Sequence, residues 1–394
     1  MKKQQIIDYI SSVKAPDMGF CLQEQYQQRT LMSSAFAILT LELIGELENW
    51  DSQRELEYFR SAQDPDSGLF IDPLWKQPIS NVTDLEMNYL HYQSTAFTLS
   101  VLSALGSLPQ YEFKFLDPFK DDDYLVRWLQ SLDWSNPWHE SNKVMFLLQF
   151  FAFLDIVQGE RGNRQRVLLI LEELRPYQDP KTGLWGTHRG ASKFIAMAGT
   201  FHFLSFYQHY GVPISHPEAM HGSTMALQAR DGLFHPFGGG GACEDLDALY
   251  ILGATESQAA PSGHYRDKME KAYHAILNAQ NDDGGFCWSK RPKWDLNLSA
   301  SYLNPFSPRF ELPIAKWILK RRFLSILIPN LRDPSTYRYS NWDQMKYDVA
   351  KSDTWSTWFR LLSLAAIERS FPEFRTHDIE FKHRTLPALG WQPR

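Results

Sequence analysis

Residues 238–252 read GGGGACEDLDALYIL, and three carboxylates, Glu244, Asp245 and Asp247, fall within four positions. On a helix, Glu244 and Asp247 are three apart and share a face, whereas Asp245 is turned about 100° from Glu244. A carboxylate in the first turn of a helix ordinarily caps it. Turned into an apolar cavity, it behaves differently, because burial and like-charged neighbours keep a proton on it. A carboxylic acid held protonated is a proton donor. If Asp245 faces such a cavity it would hold its proton, with Glu244 and Asp247 as its electrostatic neighbours. The glycine run before them is not a phosphate loop, since no GK[ST] follows, and it reads as a flexible approach to the helix.

Ionisable groups recur at comparable places along the chain: His91, His139 with Glu140, His188 with Arg189 and Lys193, and Asp353. Singly, each reads as a helix cap or a satisfied structural group. Together, in a fold that converges them, they form a polar binding site. Trp138, Trp185, Phe234, Trp355 and Trp358 lie close to these positions; their ring faces can stabilise a developing positive charge or pack between helices. With aromatics at 14% of the chain and 13 tryptophans, there is enough flat surface for both uses.

These residues must be positioned by a repeat. QDPDSGLF (63–70), QDPKTGLW (178–185), QARDGLF (228–234) and QNDDGGF (280–286) are copies of one phrase, with weaker copies at 14–20 and 130–138. Each follows a helical segment with a charged face and precedes a helix that is apolar nearly all round, which marks an outer and a buried layer. Gly and Asp supply the turn between them. Six phrases and six apolar helices predict an all-α (α/α)6 toroid of six hairpins in two concentric rings, one domain over residues 1–394. The inner helices are expected to begin near Ser33, Gln93, Glu140, Ser192, Glu244 and Asp353, with the chain after Ser370 wrapping the outside. Ring closure brings the helix heads, and the ionisable groups on them, to one lumen.

Two stretches break the pattern, residues 71–90 and the much longer 289–351. The second is too long for a plain connection and too aromatic for a disordered one, so it is expected to be an inserted lid or buttress over one mouth. Within it, residues 312–329 combine an apolar face with Lys316, Lys320, Arg321 and Arg322, which also suits peripheral contact with a membrane surface. The net charge of −6 argues against nucleic acid as a partner. Cys21, Cys243 and Cys287 are too scattered for a disulfide framework or a CxxC pair, and neither a metal nor a cofactor is expected. MKKQQIIDYISS lacks the apolar core of a secretory leader, and no run of about 18 apolar residues is long enough to span a membrane, so a cytoplasmic location is expected.

The phrases resemble the QW-type repeat of squalene–hopene cyclases and of the β subunits of protein prenyltransferases. In such a repeat the Gln is expected to bond the end of the adjacent inner helix while the aromatic packs against it. The resemblance extends to the fifth helix. Squalene–hopene cyclases carry DxDDTA there, and its central Asp protonates an alkene. Aligning its alanine on Ala248 puts Asp245 at the central Asp, with Cys243, Leu246 and Asp247 in place of the first Asp, the third Asp and the Thr. In the prenyltransferases, Asp, Cys and His of the corresponding helices hold zinc. Here Glu244 falls near their Asp and Leu246 near their Cys, and Ser356 stands where the His belongs, so no zinc site is expected. The resemblance implies a terpene-cyclase-like enzyme acting on an isoprenoid or a prenylated small molecule. Toroids of this kind also include polysaccharide lyases and unsaturated glycoside hydrolases, for which His139 and Glu140 would serve as acid and base on a sugar. A toroid that binds a partner without catalysis is a third reading.

Overall fold

In the computed structural model, residues 1–79, 81–235, 239–258, 263–290 and 336–392 are described. Twelve α-helices are found among them, α1 to α12, and they alternate between two layers. The outer helices are α1 (Lys3–Ser12), α3 (Gln53–Ser61), α5 (Asp122–Gln130), α7 (Gly162–Glu173), α9 (Pro217–Met225) and α11 (Gly263–Leu277). The inner ones are α2 (Leu31–Leu43), α4 (Tyr89–Ala104), α6 (Pro137–Ile156), α8 (Lys193–His209), α10 (Ala242–Thr255) and α12 (Thr354–Ser370). Each inner helix starts within a few residues of its expected position.

The inner helices pack in the order α2, α4, α6, α8, α10, α12 and back to α2, which closes the ring. Their composition explains the layer. In α6 every residue from Val144 to Leu154 is buried, whereas α5 buries only Leu125 and Leu129. A helix with apolar residues on all sides has no face to give to water. The expected (α/α)6 toroid is therefore the observed architecture.

The phrases hold the two layers together through one recurring bond. The backbone N–H of the phrase aromatic donates to a side chain one or two turns into the next inner helix. Phe20 donates to Ser34 Oγ at 2.9 Å, Phe70 to Thr95 Oγ1 at 2.9 Å, Trp185 to Thr200 Oγ1 at 3.1 Å and Phe286 to Thr357 Oγ1 at 2.9 Å. Thr95 and Thr200 each donate their hydroxyl proton to the carbonyl four residues back, at 2.7 Å, so one hydroxyl satisfies two buried backbone groups. In the fifth repeat the acceptor is a carboxylate: Phe234 N–H donates to Asp245 Oδ1 at 2.7 Å.

The glutamines act differently from expectation. Gln178 Nε2 donates to Gly183 O at 2.9 Å and to Ser215 O at 2.6 Å, and Gln63 Nε2 to Gly68 O at 3.1 Å and Tyr111 O at 2.9 Å. They close their own turn and pin it to the segment leading into the next outer helix, not to the end of an inner one. Gly183 has φ +71° and sits against the backbone of Met220, where no Cβ would fit. Both conditions call for glycine at this turn.

The two mouths of the ring are closed by different means. At the carboxyl ends of the inner helices the C-terminal tail crosses the opening. Lys382 N–H donates to Leu43 O at 2.8 Å, Arg384 pairs with Glu42 at 2.7 Å, and Trp391 lies 5.7 Å from His209. The tail begins on the outside, where Phe371 and Phe374 pack on Tyr265 and Tyr273, but it ends as a plug rather than a wrapping. At the amino ends stands a hairpin of β3 (Thr336–Arg338) and β4 (Lys346–Asp348). It is anchored to a first hairpin, β1 (Cys21–Gln23) and β2 (Tyr26–Arg29), by Gln23. That side-chain amide accepts from Asp348 N–H at 2.8 Å and donates to Asp348 O at 2.9 Å. Residues 312–329, and with them the expected lid helix, lie outside the described residues. No helix among those described is long and apolar enough to cross a membrane.

Thr200→Val keeps the shape of the side chain and strands the buried N–H of Trp185. An unfolding midpoint corresponding to a loss of about 1–3 kcal/mol is expected, measured by urea denaturation. An unchanged midpoint would show that the bond does not hold the layers.

Candidate functional site

A cavity of about 440 Å³ opens inside the ring at the amino ends of the inner helices. Each inner helix on its wall contributes residues from its first turns, spaced so that they share the inward face. α4 supplies Tyr89, Gln93 and Phe97; α6 supplies Trp138, His139, Asn142, Met145 and Phe146; α12 supplies Trp355 and Phe359. α10 supplies Cys243, Glu244 and Asp247, while α8 reaches in with His202. Trp288 and the β3–β4 hairpin, through Arg338, Tyr339, Ser340 and Tyr347, complete the wall. The rings meet edge to face: Tyr339 and Tyr347 stand 4.7 and 5.5 Å from Trp355. Gln93 holds the hairpin, donating to Tyr339 Oη at 3.2 Å and accepting from Ser340 Oγ at 3.0 Å.

The three acids of the fifth inner helix divide as their spacing requires, but with the faces reversed from the expectation. Asp245 is fully buried and turned out of the lumen. Its carboxylate accepts from Phe234 N–H, from Gly241 N–H at 3.1 Å and from Arg360 Nη1 at 2.5 Å. Arg360 is itself fully buried and gives its other nitrogen to Trp288 O at 2.5 Å. Burial lifts the Asp245 carboxyl above its ordinary range, and the Arg360 charge pulls it back. Asp245 is thus the fifth fastener between the layers and has no path to a ligand in the lumen. Gly240 and Gly241 are also more than a flexible approach, because a Cβ on either would strike the Asp245 or Glu244 carboxylate.

Asp247 faces the lumen. It is 2% exposed, and its Oδ2 is buried without a hydrogen-bond partner. Burial, then the Glu244 and Asp245 charges, push its carboxyl well above the usual range. Glu244 lies beside it, accepting from the Cys243 thiol at 3.1 Å, with His235 Nε2 at 3.9 Å. Burial, then the Glu244 and Asp247 charges, push the Cys243 thiol up, so it stays protonated. His202 accepts from or donates to Ser141 Oγ at 2.7 Å, and burial drops it to about 3, which keeps it neutral.

Of the other expected residues, Trp138, His139 and Trp355 line the cavity and the rest do not. His91 is buried against Gln77 O at 3.1 Å. Trp185 is fully buried between the layers, its indole N–H on Leu174 O at 2.8 Å. Trp358 packs on Phe36 at 5.9 Å, also between helices. Phe234 is buried in its phrase, and His188 and Arg189 are exposed on a short 3-10 turn away from the lumen. Asp353 caps α12, accepting from Ser356 N–H at 2.6 Å. Glu140 belongs to an ion-pair group at the rim: Lys143 Nζ lies 2.9 Å from Glu140 and 3.0 Å from Glu86, and Glu86 holds His139 Nε2 at 2.7 Å. Glu86, His139 and Glu140 have the proximity of metal ligands, but the Lys143 ammonium already bridges the two carboxylates. The sequence reading missed Gln93, Phe97, Phe146 and Phe359. Gln93 and Phe359 are one turn, and Phe97 and Phe146 two turns, below a helix-head residue, and the i, i+4, i+8 continuation of the inward face would have found them.

Residues 1–112 and 116–293 match the family described as the prenyltransferase α/α-toroid domain. The chain belongs to that family. No curated protein matches it significantly. Among solved structures it is similar to one titled a polysaccharide lyase, at 11% identity, with 94% of this chain and 98% of that chain covered and a TM-score of 0.42. Within the family, the zinc trio implied by the prenyltransferase resemblance does not fit the residues present. Leu246 is buried and carries no donor atom, and Ser356 is buried in the cap of α12. Membership in the prenyltransferase family and the acidic and histidine groups of the lumen support chemistry on a small organic substrate inside the toroid.

Asp353 gives a pH test of the cap. Burial raises its carboxyl to about 7, against about 4 in an unfolded chain. Between those values the folded protein holds a proton that the unfolded chain has released, so stability falls as pH rises through the interval. Asn caps as well as Asp and does not titrate. The melting temperature of the wild type relative to Asp353→Asn should therefore drop between pH 4 and pH 7, and a constant difference would contradict the assignment.

Proposed function

We propose that the chain is a terpene-cyclase-like enzyme that starts carbocation chemistry on an isoprenoid or prenylated small molecule by protonating an alkene, with Asp247 as the acid. The observation that carries this reading is the Asp247 carboxyl: buried, unpartnered at Oδ2, and facing a cavity walled by aromatic rings. A carboxylic acid in such a site keeps its proton at neutral pH and can give it to carbon. The O–H bond of Asp247 breaks as a C–H bond forms at the alkene, leaving a carboxylate and a cation on the substrate. Trp355, Tyr339 and Phe359 present ring faces and edges that stabilise the migrating charge, and Glu244 adds a negative neighbour. The plug of the C-terminal tail and the hairpin restrict water, which would otherwise quench the cation. Return of a proton from the final cation to the Asp247 carboxylate forms the product alkene, restores the acid and ends the reaction.

This reading moves the donor from Asp245 to Asp247, which stands at the Thr of the cyclase motif as aligned. The carbohydrate reading needs His, Arg and Trp along an open groove. His188 and Arg189 lie outside the cavity, and the Glu140 carboxylate is committed to Lys143, which supports the isoprenoid over the sugar.

The test is turnover of an isoprenoid panel and an unsaturated oligosaccharide panel by the wild type, Asp247→Asn and His139→Ala. Loss of at least about 100-fold in isoprenoid turnover is expected in Asp247→Asn, the scale of a general acid, with His139→Ala largely active. Turnover of a sugar that disappears only in His139→Ala would reject the proposal.

A further inference from the structure

The lumen is polarised in a way that selects the charge of what it holds. Among the described residues, Arg338 is the only Lys or Arg side chain in the wall, and it is paired with Asp343 at 3.0 Å. Lys143, at the rim, is held between Glu86 and Glu140. Among the described residues, the wall therefore offers no unpaired ammonium or guanidinium to anchor a phosphate or carboxylate. What it offers instead is the Asp247 carboxyl, with Oδ2 unpartnered, in the same cavity as the Trp355 ring, which Tyr339 and Tyr347 each meet edge to face. Aromatic faces around a carboxylate are the arrangement that recognises an organic ammonium.

We infer that the lumen binds an organic monocation, a tertiary or quaternary ammonium carried on an apolar chain, with Asp247 as its counter-ion. The inference rests on the lumen being the substrate site, as in the proposed function, but not on proton transfer to carbon. Binding carries a proton with it. In the empty site Asp247 is a neutral acid; when the ammonium enters, the O–H bond breaks, the proton passes to solvent and the carboxylate pairs the cation. One positive charge enters and one leaves, so the buried site never holds an uncompensated charge. The titratable and charged groups around Asp247 are Glu244, Asp245 and Cys243 on its own helix and His202 on α8. Among the described residues, Arg360 on α12, His235, Tyr89 on α4, His139 on α6, and Arg338, Tyr339 and Tyr347 of the hairpin also line or border the cavity. Burial keeps His202 neutral, and Arg360 is spent on Asp245, so Asp247 is the group that exchanges its proton.

The experiment is calorimetric titration of the full chain with octyltrimethylammonium, its uncharged tert-butyl isostere and octyl phosphate, in two buffers of different ionisation enthalpy. The ammonium should bind about tenfold or more tightly than the other two. Its heat should depend on the buffer by the amount of a released proton, and its affinity should rise with pH until Asp247 is ionised in the free protein. Asp247→Asn should abolish the buffer dependence and most of the preference. Trp355→Leu, which leaves the acid intact, should weaken the ammonium alone and keep the proton release. Equal affinity for the isostere or the phosphate, or a buffer-independent heat in the wild type, would overturn the inference. Ammonium binding without isoprenoid turnover would count against the cyclisation reading only, and turnover without ammonium preference against this inference only.

Discussion

In five of the six phrases the backbone N–H of the aromatic is buried between two layers of helices, and the structure depends on finding it an acceptor. An unsatisfied N–H there costs as much as a lost hydrogen bond, so each turn that joins an outer to an inner helix must be met by a polar atom from the inner one. Ser34, Thr95, Thr200 and Thr357 do this with a hydroxyl. Asp245 does it with a carboxylate, and that one change has consequences across the ring. A buried charge needs a partner, and it comes from the neighbouring inner helix as Arg360, which ties α10 to α12 and reaches on to Trp288. The closure of the toroid at this seam is thus ionic where the other fasteners are neutral.

Committing Asp245 to the seam fixes what the other two acids can do. Residues 244 and 247 share the opposite face and are carried into the lumen, where Glu244 finds the Cys243 thiol and Asp247 leaves Oδ2 with no partner. Burial then sets the electrostatics: at 2% exposure, beside Glu244 and with no unpaired cation among the described lining residues, Asp247 is pushed toward its protonated form. The same geometry that makes the fold hold at the fifth repeat therefore leaves an acid poised beside it.

The architecture was legible because it is written in repetition. Glycine turns and all-apolar helices give a period that needs no tertiary information, and the inner helices begin where that period puts them. The site was legible only in outline. The sequence reading separated Asp245 from Glu244 and Asp247 by helical angle, but the angle alone does not say which face looks inward. The missing signal was the hydroxyl: had Asp245 been lined up with Ser34, Thr95, Thr200 and Thr357, its role as acceptor for Phe234 would have followed, and Arg360, three residues beyond Thr357, would have appeared as its counter-ion. Trp185 and Trp358 were drawn toward the site by type, yet a Trp at the end of a phrase serves the interlayer space. The tyrosines of the β3–β4 hairpin could not be foreseen, because their approach to Trp355 is set by an anchor at Gln23, more than 300 residues away.

The account turns on which acid of the fifth inner helix carries a proton into the lumen, and infrared spectroscopy reads this directly. In the difference spectrum between wild type and Asp247→Asn at pH 7, the carbonyl stretch of a protonated, buried carboxylic acid should be present in the wild type and missing from the variant, while Asp353 contributes equally to both and cancels. A protonated-carboxyl band that survives unchanged in Asp247→Asn, or a wild type in which the difference shows only a carboxylate, would contradict the account.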